Sequence, residues 1–266
     1  MKFLYKLYAL LVFFVLNPCE VSAQQKLTLA YNQEPNPPYV TGLGINTNVD
    51  KPGITIEVLK LLGERLNVHV EFVAMPAQRG MLMMRDNKVD GTFHMSFKLK
   101  RTKMGGYPMK EGKVDSSRKL MSYSYALYTL KGSSVQWDGY EIKNIQGELA
   151  TSIGFSIVDD LKKMGVNVKE KVSLYGQMKM LLLQRVSAVV NIESLADFTL
   201  RNYPKDFSNI QKRKPLVKTK DYYLMLSRKF IQNNKRLAEA IWDQIGLIRK
   251  TGEYSRISDK YSKELL

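Results

Sequence analysis

Apolar residues along the chain follow two different periods, and segments of the two kinds take turns. Between Ile54 and Leu66 apolar positions recur at helical spacing, whereas Val68 to Val73 alternates as a half-buried strand does. Clusters of Gly, Pro, Asn and Asp separate these segments. The pattern predicts strands over 26–31, 68–73, 92–97, 122–130, 149–154, 166–172, 187–191 and 222–227, and helices over 54–66, 79–89, 156–164, 177–185, 193–203, 234–250 and 253–265.

This order of elements predicts an α/β fold with two lobes. Strands and helices alternate in the first hundred residues and again after residue 149, which is typical of a mostly parallel sheet flanked by helices. Two extended runs, 124–131 and 217–225, are placed to carry the chain into a second lobe and back. We therefore expect a clamshell with two hinge crossings, in which residues 24–125 and 224–266 form lobe 1 and residues 126–223 form lobe 2.

The first 23 residues have the pattern of a secretory signal. Two lysines precede an apolar core from Leu7 to Leu16, and Val21-Ser22-Ala23 is a small-residue cleavage site. The core is too short to span a bilayer, which argues against a membrane anchor. Pro18 directly before Cys19 fits a lipoprotein cleavage site poorly. We expect a cleavable signal peptide and a periplasmic protein that begins at Gln24.

The amino-acid composition of the chain excludes several classes of function. Cys19 is the only cysteine, so the mature chain would have neither a disulfide nor a thiolate metal site. The formal charge of +16 favours acidic partners, but an exported chain does not meet nucleic acid and its basic residues are spread along the sequence. A generally solvated basic surface is the simplest explanation. Catalytic motifs such as Gly-x-Ser-x-Gly and His-Glu-x-x-His are missing, so we expect neither an enzyme nor a cofactor.

Three places in the pattern suit a ligand site. Ligands of open α/β sheets bind beyond the carboxyl ends of strands, where Ser96 and Arg101 follow the predicted strand 92–97. The Arg101 fork suits a carboxylate or phosphate, although it could be one more solvated basic side chain. Gly154 before a helix that begins at Ser156 predicts an anion pocket of backbone N–H groups. Tyr39 closes a Pro-rich loop that holds an aromatic ring in place or is a plain connection.

Six short motifs occur in an order and at spacings known from one protein family. They are Pro37-Pro38-Tyr39, Gly53-Ile-Thr-Ile-Glu57-Val58, Lys88-Val-Asp-Gly91, Ser96 with Arg101, Ser122-Tyr-Ser-Tyr125 and Gln184-Arg-Val-Ser-Ala188. Together they resemble the bacterial family 3 extracellular solute-binding proteins, the periplasmic amino-acid-binding type. The resemblance implies a monomer that holds a small-molecule ligand between two lobes and meets a membrane permease or receptor.

The resemblance also implies roles for individual residues. Arg101 would bind a ligand carboxylate with Ser96 as a neutral donor, and Tyr39 and Tyr125 would form walls. About twenty extra residues, from 102 to 121, precede the hinge. Arg118 within this insertion could therefore be the anion-binding residue in place of Arg101.

The second lobe departs from the family pattern at one position. The Asp that holds a ligand ammonium in the family falls at Ile192, and an apolar side chain cannot compensate an ammonium. Either Glu193 substitutes for it by a shift in register, or the ligand is not an α-amino acid. Two functions remain open on this basis, namely capture of a small carboxylated solute for an ABC-type importer and sensing of a ligand for a membrane receptor.

Overall fold

The computed structural model describes residues 24–41, 50–171 and 173–261. The predicted signal peptide, residues 1–23, lies outside the described residues. None of the helices in these ranges combines the length and the apolar character that crossing a membrane requires.

Most predicted elements are present close to their predicted bounds. The strands are β1 Gln25–Asn32, β2 Val68–Met75, β3 Gly91–Ser96, β4 Met109–Lys110, β5 Lys113–Val114, β6 Met121–Leu130, β7 Gln136–Trp137, β8 Ile142–Lys143, β9 Leu149–Ser152, β10 Val168–Lys171, β11 Ala188–Ile192 and β12 Ile210–Leu226. The helices are α1 Ile54–Leu66, α2 Ala77–Arg85, α3 Ile157–Lys163, α4 Leu174–Leu182, α5 Glu193–Asn202, α6 Pro204–Phe207, α7 Arg228–Asn233, α8 Lys235–Lys250 and α9 Glu253–Asp259. Short 3₁₀ turns cover Leu99–Lys103 and Ser116–Arg118.

One sheet of eight strands runs through both lobes in the order β10-β9-β11-β6-β12-β3-β1-β2. The strands at either end of this order pair in parallel, whereas β6 and β12 pair antiparallel with each other. β12 also pairs with β3, and β6 also pairs with β11. The predicted crossings are therefore two long strands, each of which contributes one half to each lobe. This arrangement confirms the predicted two-lobed α/β fold, while the exact lobe boundaries stay a prediction.

The side chains of each half of the sheet alternate between two apolar layers, as the two-residue period of a strand requires. In the first lobe, Leu29 and Leu224 face the layer that contains α1 and α8, whereas Ala30 and Met225 face α2. In the second lobe, Leu127 packs in the layer with α3, and the neighbouring Tyr128 packs with α4 and α5. Helices on both faces explain why the strands are apolar throughout.

The two crossing strands are interrupted at one point. Between Arg213 and Lys218, β12 has four residues opposite the single residue Ala126 of β6. Such a bulge leaves residues out of the ladder and bends the strand. The indole nitrogen Nε1 of Trp137 donates to the carbonyl oxygen of Pro215 at 2.7 Å, so the hairpin of β7 and β8 supports the bulge. The bulge therefore interrupts the pairing of the two crossing strands near their middle.

Candidate ligand-binding cleft

A cavity of about 100 Å³ lies between the lobes, and we call it the inner compartment. Its walls come from the loop after β1, the start of α2, the end of β3, the turn between β9 and α3, and the junction of β11 with α5. These are the carboxyl ends of the strands, where ligands of open α/β sheets bind. The polar side chains that line it belong to Asn32, Glu34, Asn36, Gln78, His94, Ser96, Arg101, Tyr123, Ser156 and Tyr222.

A larger cavity of about 420 Å³, the outer compartment, continues from the inner one. The two share part of their lining, including Glu34 and Gln78 of lobe 1 and Ile153, Phe155 and Leu195 of lobe 2. The remaining outer lining combines apolar and aromatic side chains with polar ones, namely Pro35, Pro76, Leu174, Tyr175 and Phe198 with Gln33, Ser152, Ser173, Asn191 and Thr199. The cleft thus offers a small inner end and a roomier outer end, and polar as well as apolar groups line both.

Arg101 lies on the 3₁₀ turn after β3 and is 8% exposed. Its Nη1 donates to the carbonyl oxygen of Ser96 at 2.7 Å and to Ser96 Oγ at 3.0 Å. Its Nη2 donates across the cleft to the carbonyl oxygen of Gly154 at 2.9 Å. In the part of the chain that the structure describes, no carboxylate lies within 4 Å of this guanidinium. Arg101 is therefore a buried cation whose protein partners are neutral oxygens.

The turn between β9 and α3 presents three consecutive carbonyl oxygens to three cations. Besides the Arg101 contact with Gly154, the Lys98 Nζ donates to the carbonyl oxygen of Phe155 at 3.2 Å, and the Lys220 Nζ donates to that of Ser156 at 2.9 Å. Each lysine also pairs with an aspartate of α3, Lys98 with Asp159 and Lys220 with Asp160. We call the segment 154–156 the carbonyl turn.

The backbone N–H groups of this turn do not form the predicted anion pocket. The Gly154 N–H donates to Glu170 Oε2 at 2.8 Å, and the Phe155 N–H donates to the carbonyl oxygen of Ser152 at 3.2 Å. Gly154 has a φ of 75°, a left-handed conformation that glycine adopts without strain. Because the N–H groups of Gly154 and Phe155 are already bonded, the turn offers carbonyl oxygens to Arg101, Lys98 and Lys220 where the sequence predicts N–H groups for an anion.

A second polar network joins the lobes on the other side of the inner compartment. The Asn36 Nδ2 donates to the Tyr123 hydroxyl at 2.7 Å, and that hydroxyl lies 3.2 Å from His94 Nδ1. The other ring nitrogen, Nε2, lies 2.9 Å from Thr55 Oγ1. From lobe 2, Ser194 Oγ donates to Asn36 Oδ1 at 3.3 Å. The network fixes the side chains that surround the ligand space.

His94 owes its position to an irregularity in β3. Between Thr92 and Met95 this strand has two residues, opposite one residue, Leu224, of β12. His94 takes a left-handed φ of 60° in this bulge, and its side chain lines the inner compartment. Bulges re-aim side chains beside binding sites. Burial lowers the pKa of His94 to about 3, so its imidazole is neutral at neutral pH.

Four of the eight predicted site residues line the inner compartment: Ser96, Arg101, Gly154 and Ser156. Two aromatic residues lie behind its wall instead of on it. Tyr39 packs edge-on against Tyr123 with ring centroids 4.9 Å apart, and Tyr125 is fully buried against Phe155 and Tyr222. They support lining residues without touching the ligand space.

The structure does not bring the other two predicted residues into the cleft. Arg118 belongs to the 3₁₀ turn after the hairpin of β4 and β5, and its guanidinium pairs with Glu239 at 2.7 Å and Asp243 at 2.8 Å on α8. Glu193 pairs with Lys212 at 2.8 Å outside both compartments. Its neighbour Ile192 lines the inner compartment in its place.

Several residues that line the inner compartment are not predicted from the sequence. Asn36 stands within the Pro-rich loop that Tyr39 closes, and its side chain lines the inner compartment while Tyr39 lies behind the wall. Tyr123 and Tyr222 lie on the crossing strands, and only the pairing of these strands brings them to the cleft. The direction of the His94 side chain depends on a bulge in β3, which the two-residue period of a strand does not predict.

Comparison with known proteins identifies the family. The family model for bacterial extracellular solute-binding proteins, family 3, matches residues 32–264. Sequence comparison with curated proteins gives no match.

Similar solved structures are distant in sequence and share the fold. The GluR0 ligand-binding core from Nostoc punctiforme in complex with L-glutamate has a TM-score of 0.64 at 16% identity and covers 89% of this chain and 99% of its own. An ancestral arginine-binding protein bound to arginine has a TM-score of 0.67 at 19% identity, with 89% and 98% covered. A histidine kinase sensor domain with similarity to periplasmic binding proteins has a TM-score of 0.69 at 13% identity, with 90% and 97% covered. With the family match over nearly its whole length, the chain belongs to family 3 of the bacterial extracellular solute-binding proteins.

Proposed function

We propose that the protein captures a small carboxylated molecule between its lobes in the periplasm and delivers it to an ABC-type importer. The observation that carries this proposal is the buried guanidinium of Arg101, which lines the inner compartment without a carboxylate partner among the described residues.

The physical reason is the cost of a buried charge. A cation removed from water is stable only when it is paired or well hydrogen-bonded, and neutral carbonyl groups compensate it in part. A ligand carboxylate would complete the pairing through charge-assisted hydrogen bonds to the planar fork. Arg118 differs in this respect because two carboxylates of α8 already pair with it. Arg101 is therefore our choice for the anion-binding residue.

A second candidate function is ligand sensing for a membrane receptor. The similarity to a histidine kinase sensor domain favours it, while the similarity to the substrate binding protein of an amino acid ABC transporter favours import. Both use the same cleft, so they differ in the membrane partner alone. Membership of an extracellular family supports export, for which the predicted signal at residues 1–23 would serve.

The test begins with a thermal-shift screen of the mature protein against amino acids, organic acids and peptidoglycan fragments, since a ligand that binds only the folded state raises the melting temperature. The strongest anionic hit is then titrated by calorimetry into the wild type, Arg101→Ala and Arg118→Ala. We expect Arg101→Ala to weaken binding by about tenfold to a hundredfold, and Arg118→Ala to leave it unchanged. Equal affinity of the wild type and Arg101→Ala would refute the proposal.

A further inference from the structure

The lobe 2 wall of the inner compartment contains no acidic side chain where β11 meets α5. Among residues 191–193, Ile192 alone lines this compartment, and it is 3% exposed. Asn191 is fully buried and donates from Nδ2 to Ser152 Oγ at 3.0 Å and to Gln177 Oε1 at 3.0 Å. Because Glu193 is paired with Lys212, this segment meets the inner compartment with a hydrocarbon side chain, whereas the neutral Asn191 lines the outer compartment.

Apart from Glu34, the acceptors that the rest of the compartment offers a ligand ammonium are neutral, among them the amides of Asn32 and Gln78 and the buried Ser156 Oγ, which is unpaired among the described residues. The oxygens of the carbonyl turn already accept hydrogen bonds from Arg101, Lys98 and Lys220. An ammonium placed beside them would meet the uncompensated charge of Arg101, since Lys98 and Lys220 are already paired with Asp159 and Asp160, and a like charge disfavours a further cation. The ring of His94 is bonded at both nitrogens to hydroxyl groups.

Glu34 is the one acidic residue that lines either compartment in the described part of the chain. It stands where the compartments join and is exposed to solvent. Burial of its carboxyl by the surrounding walls raises the pKa of Glu34, although the residue as a whole is exposed, so Glu34 differs from a fully buried carboxylate beside Arg101. It remains the alternative ammonium partner, and Glu34→Gln tests it because this variant should leave the preference between an acid and its amino acid unchanged.

From these contacts we infer that the ligand is a carboxylate without an α-ammonium group, such as an unsubstituted, 2-hydroxy or 2-oxo acid. The inference rests on the proposed function, because it takes a carboxylate at Arg101 as its starting point. An ammonium on the carbon next to that carboxylate would be stripped of water against Ile192, and an uncompensated buried charge is strongly disfavoured.

The dimensions of the cleft guide the choice of probes. The inner compartment, at about 100 Å³, is much smaller than the outer one, at about 420 Å³, and it would hold the carboxylate end of a ligand. The rest of a larger ligand would extend into the outer compartment, where Leu174, Tyr175 and Phe198 favour an apolar tail. Suitable probes therefore combine a carboxylate with an apolar tail.

The experiment compares matched pairs of acids by calorimetry. The pairs are 3-phenylpropanoate with L-phenylalanine, 4-methylpentanoate with L-leucine, and 2-hydroxy-4-methylpentanoate with L-leucine. We expect the member without the ammonium to bind at least tenfold more tightly in each pair that binds. Tighter binding of the amino acids by the wild type would overturn the inference. The proposed function would survive that result if Arg101→Ala abolished amino-acid binding, whereas a panel without any binder would overturn both.

A variant pair tests the role of the apolar wall directly. Ile192→Asp supplies the missing carboxylate and should reverse the preference within each pair, whereas Ile192→Asn, of the same size but uncharged, should not. Circular dichroism checks that both variants are folded. If they are not, the wild-type comparison decides alone. A folded Ile192→Asp protein that keeps the wild-type preference would count against the inference.

Discussion

The guanidinium of Arg101 donates to the carbonyl oxygen of Gly154 across the cleft, so the residue proposed to bind the ligand also holds the two lobes together. Lys98 makes a second contact of this kind through Phe155 and Asp159. These contacts across the cleft stabilise the observed arrangement of the two lobes. Each of them can be weakened separately by substitution.

Lys98→Met should open the unliganded protein. Lys98 is buried, and its pairing with Asp159 at 2.9 Å joins the segment after β3 to α3. Removing the charge leaves Asp159 and the Phe155 carbonyl without this partner, which favours separation of the lobes. Small-angle X-ray scattering should show a larger radius of gyration without ligand. Lys100→Met, at an exposed neighbouring position, is the control and should leave the radius unchanged. Equal radii for the two variants would show that Lys98 does not hold the lobes together.

His94 should make the folded state sensitive to mild acid. Its folded pKa of about 3 lies below the ordinary value of about 6.5, so the unfolded chain binds a proton that the folded chain does not. The stabilising effect is complete above pH 6.5 and is lost as the pH falls from there toward 3. The melting temperature of the wild type should therefore fall more between pH 7 and pH 5 than that of His94→Asn.

Asn suits this substitution because it tolerates the left-handed backbone of His94. The matched control is His69→Asn, at an exposed position on β2 where the imidazole is solvated. This variant should keep the wild-type slope of melting temperature against pH. Parallel slopes for all three proteins would mean that His94 titrates as in the unfolded chain.

Tyr123→Phe should destabilise the protein and loosen the network beside the ligand space. The lost hydroxyl is the partner of both Asn36 Nδ2 and His94 Nδ1; the first of these hydrogen bonds is buried and the second is partly buried. Leaving buried polar groups unpaired costs about 1–3 kcal/mol. Urea unfolding should register this loss, and Tyr140→Phe on the exposed hairpin of β7 and β8 should change stability by less than about 0.5 kcal/mol. A loss no larger than that of Tyr140→Phe would contradict the assigned role of the network.

Gly53→Ala should be among the most destabilising single-methyl changes in the chain. Gly53 precedes α1 with a φ of 109°, and an added Cβ would lie 2.4 Å from the carbonyl oxygen of Tyr39. Strained backbone alone costs about 1–3 kcal/mol, and the steric contact adds to it. Gly176→Ala in α4 meets only ordinary contacts and should stabilise the fold by about 0.5–1 kcal/mol. Chemical denaturation measures both, and a neutral Gly53→Ala would disprove the expected strain.

Elements with an uninterrupted pattern were predictable from the sequence, and α1 is the clearest case. Its apolar residues keep one period from Ile54 to Leu66, and Asn67 ends it in a left-handed conformation with a φ of 51°. β12 was predicted only in part, because the basic run 212–214 and Pro215 interrupt its apolar pattern. Pairing with β6 keeps this stretch of β12 extended, although its local sequence does not predict a strand.

The residues of the candidate site were likewise predictable where a local motif places them, and not where strand register or the fold of the insertion decides. Ser96 and Arg101 are five residues apart on one strand and the turn after it, so a local motif sufficed to place them together. The choice between Ile192 and Glu193 depends on the register at which a strand passes into a helix, which a sequence pattern does not fix to one residue. Arg118 was a candidate because the fold of the insertion 102–121 could not be read from its polar sequence.

The sharing of β6 and β12 between the lobes has a consequence for how the chain assembles. β12 lies between β3 and β6 in the sheet, and its first half pairs with the part of β6 that borders β11. Neither lobe has its full set of strands until residues 210–226 have been added, so a chain shortened before Ile210 would lack a sheet strand in both lobes. We therefore expect the lobes to unfold in one cooperative transition, in spite of the cleft that separates them.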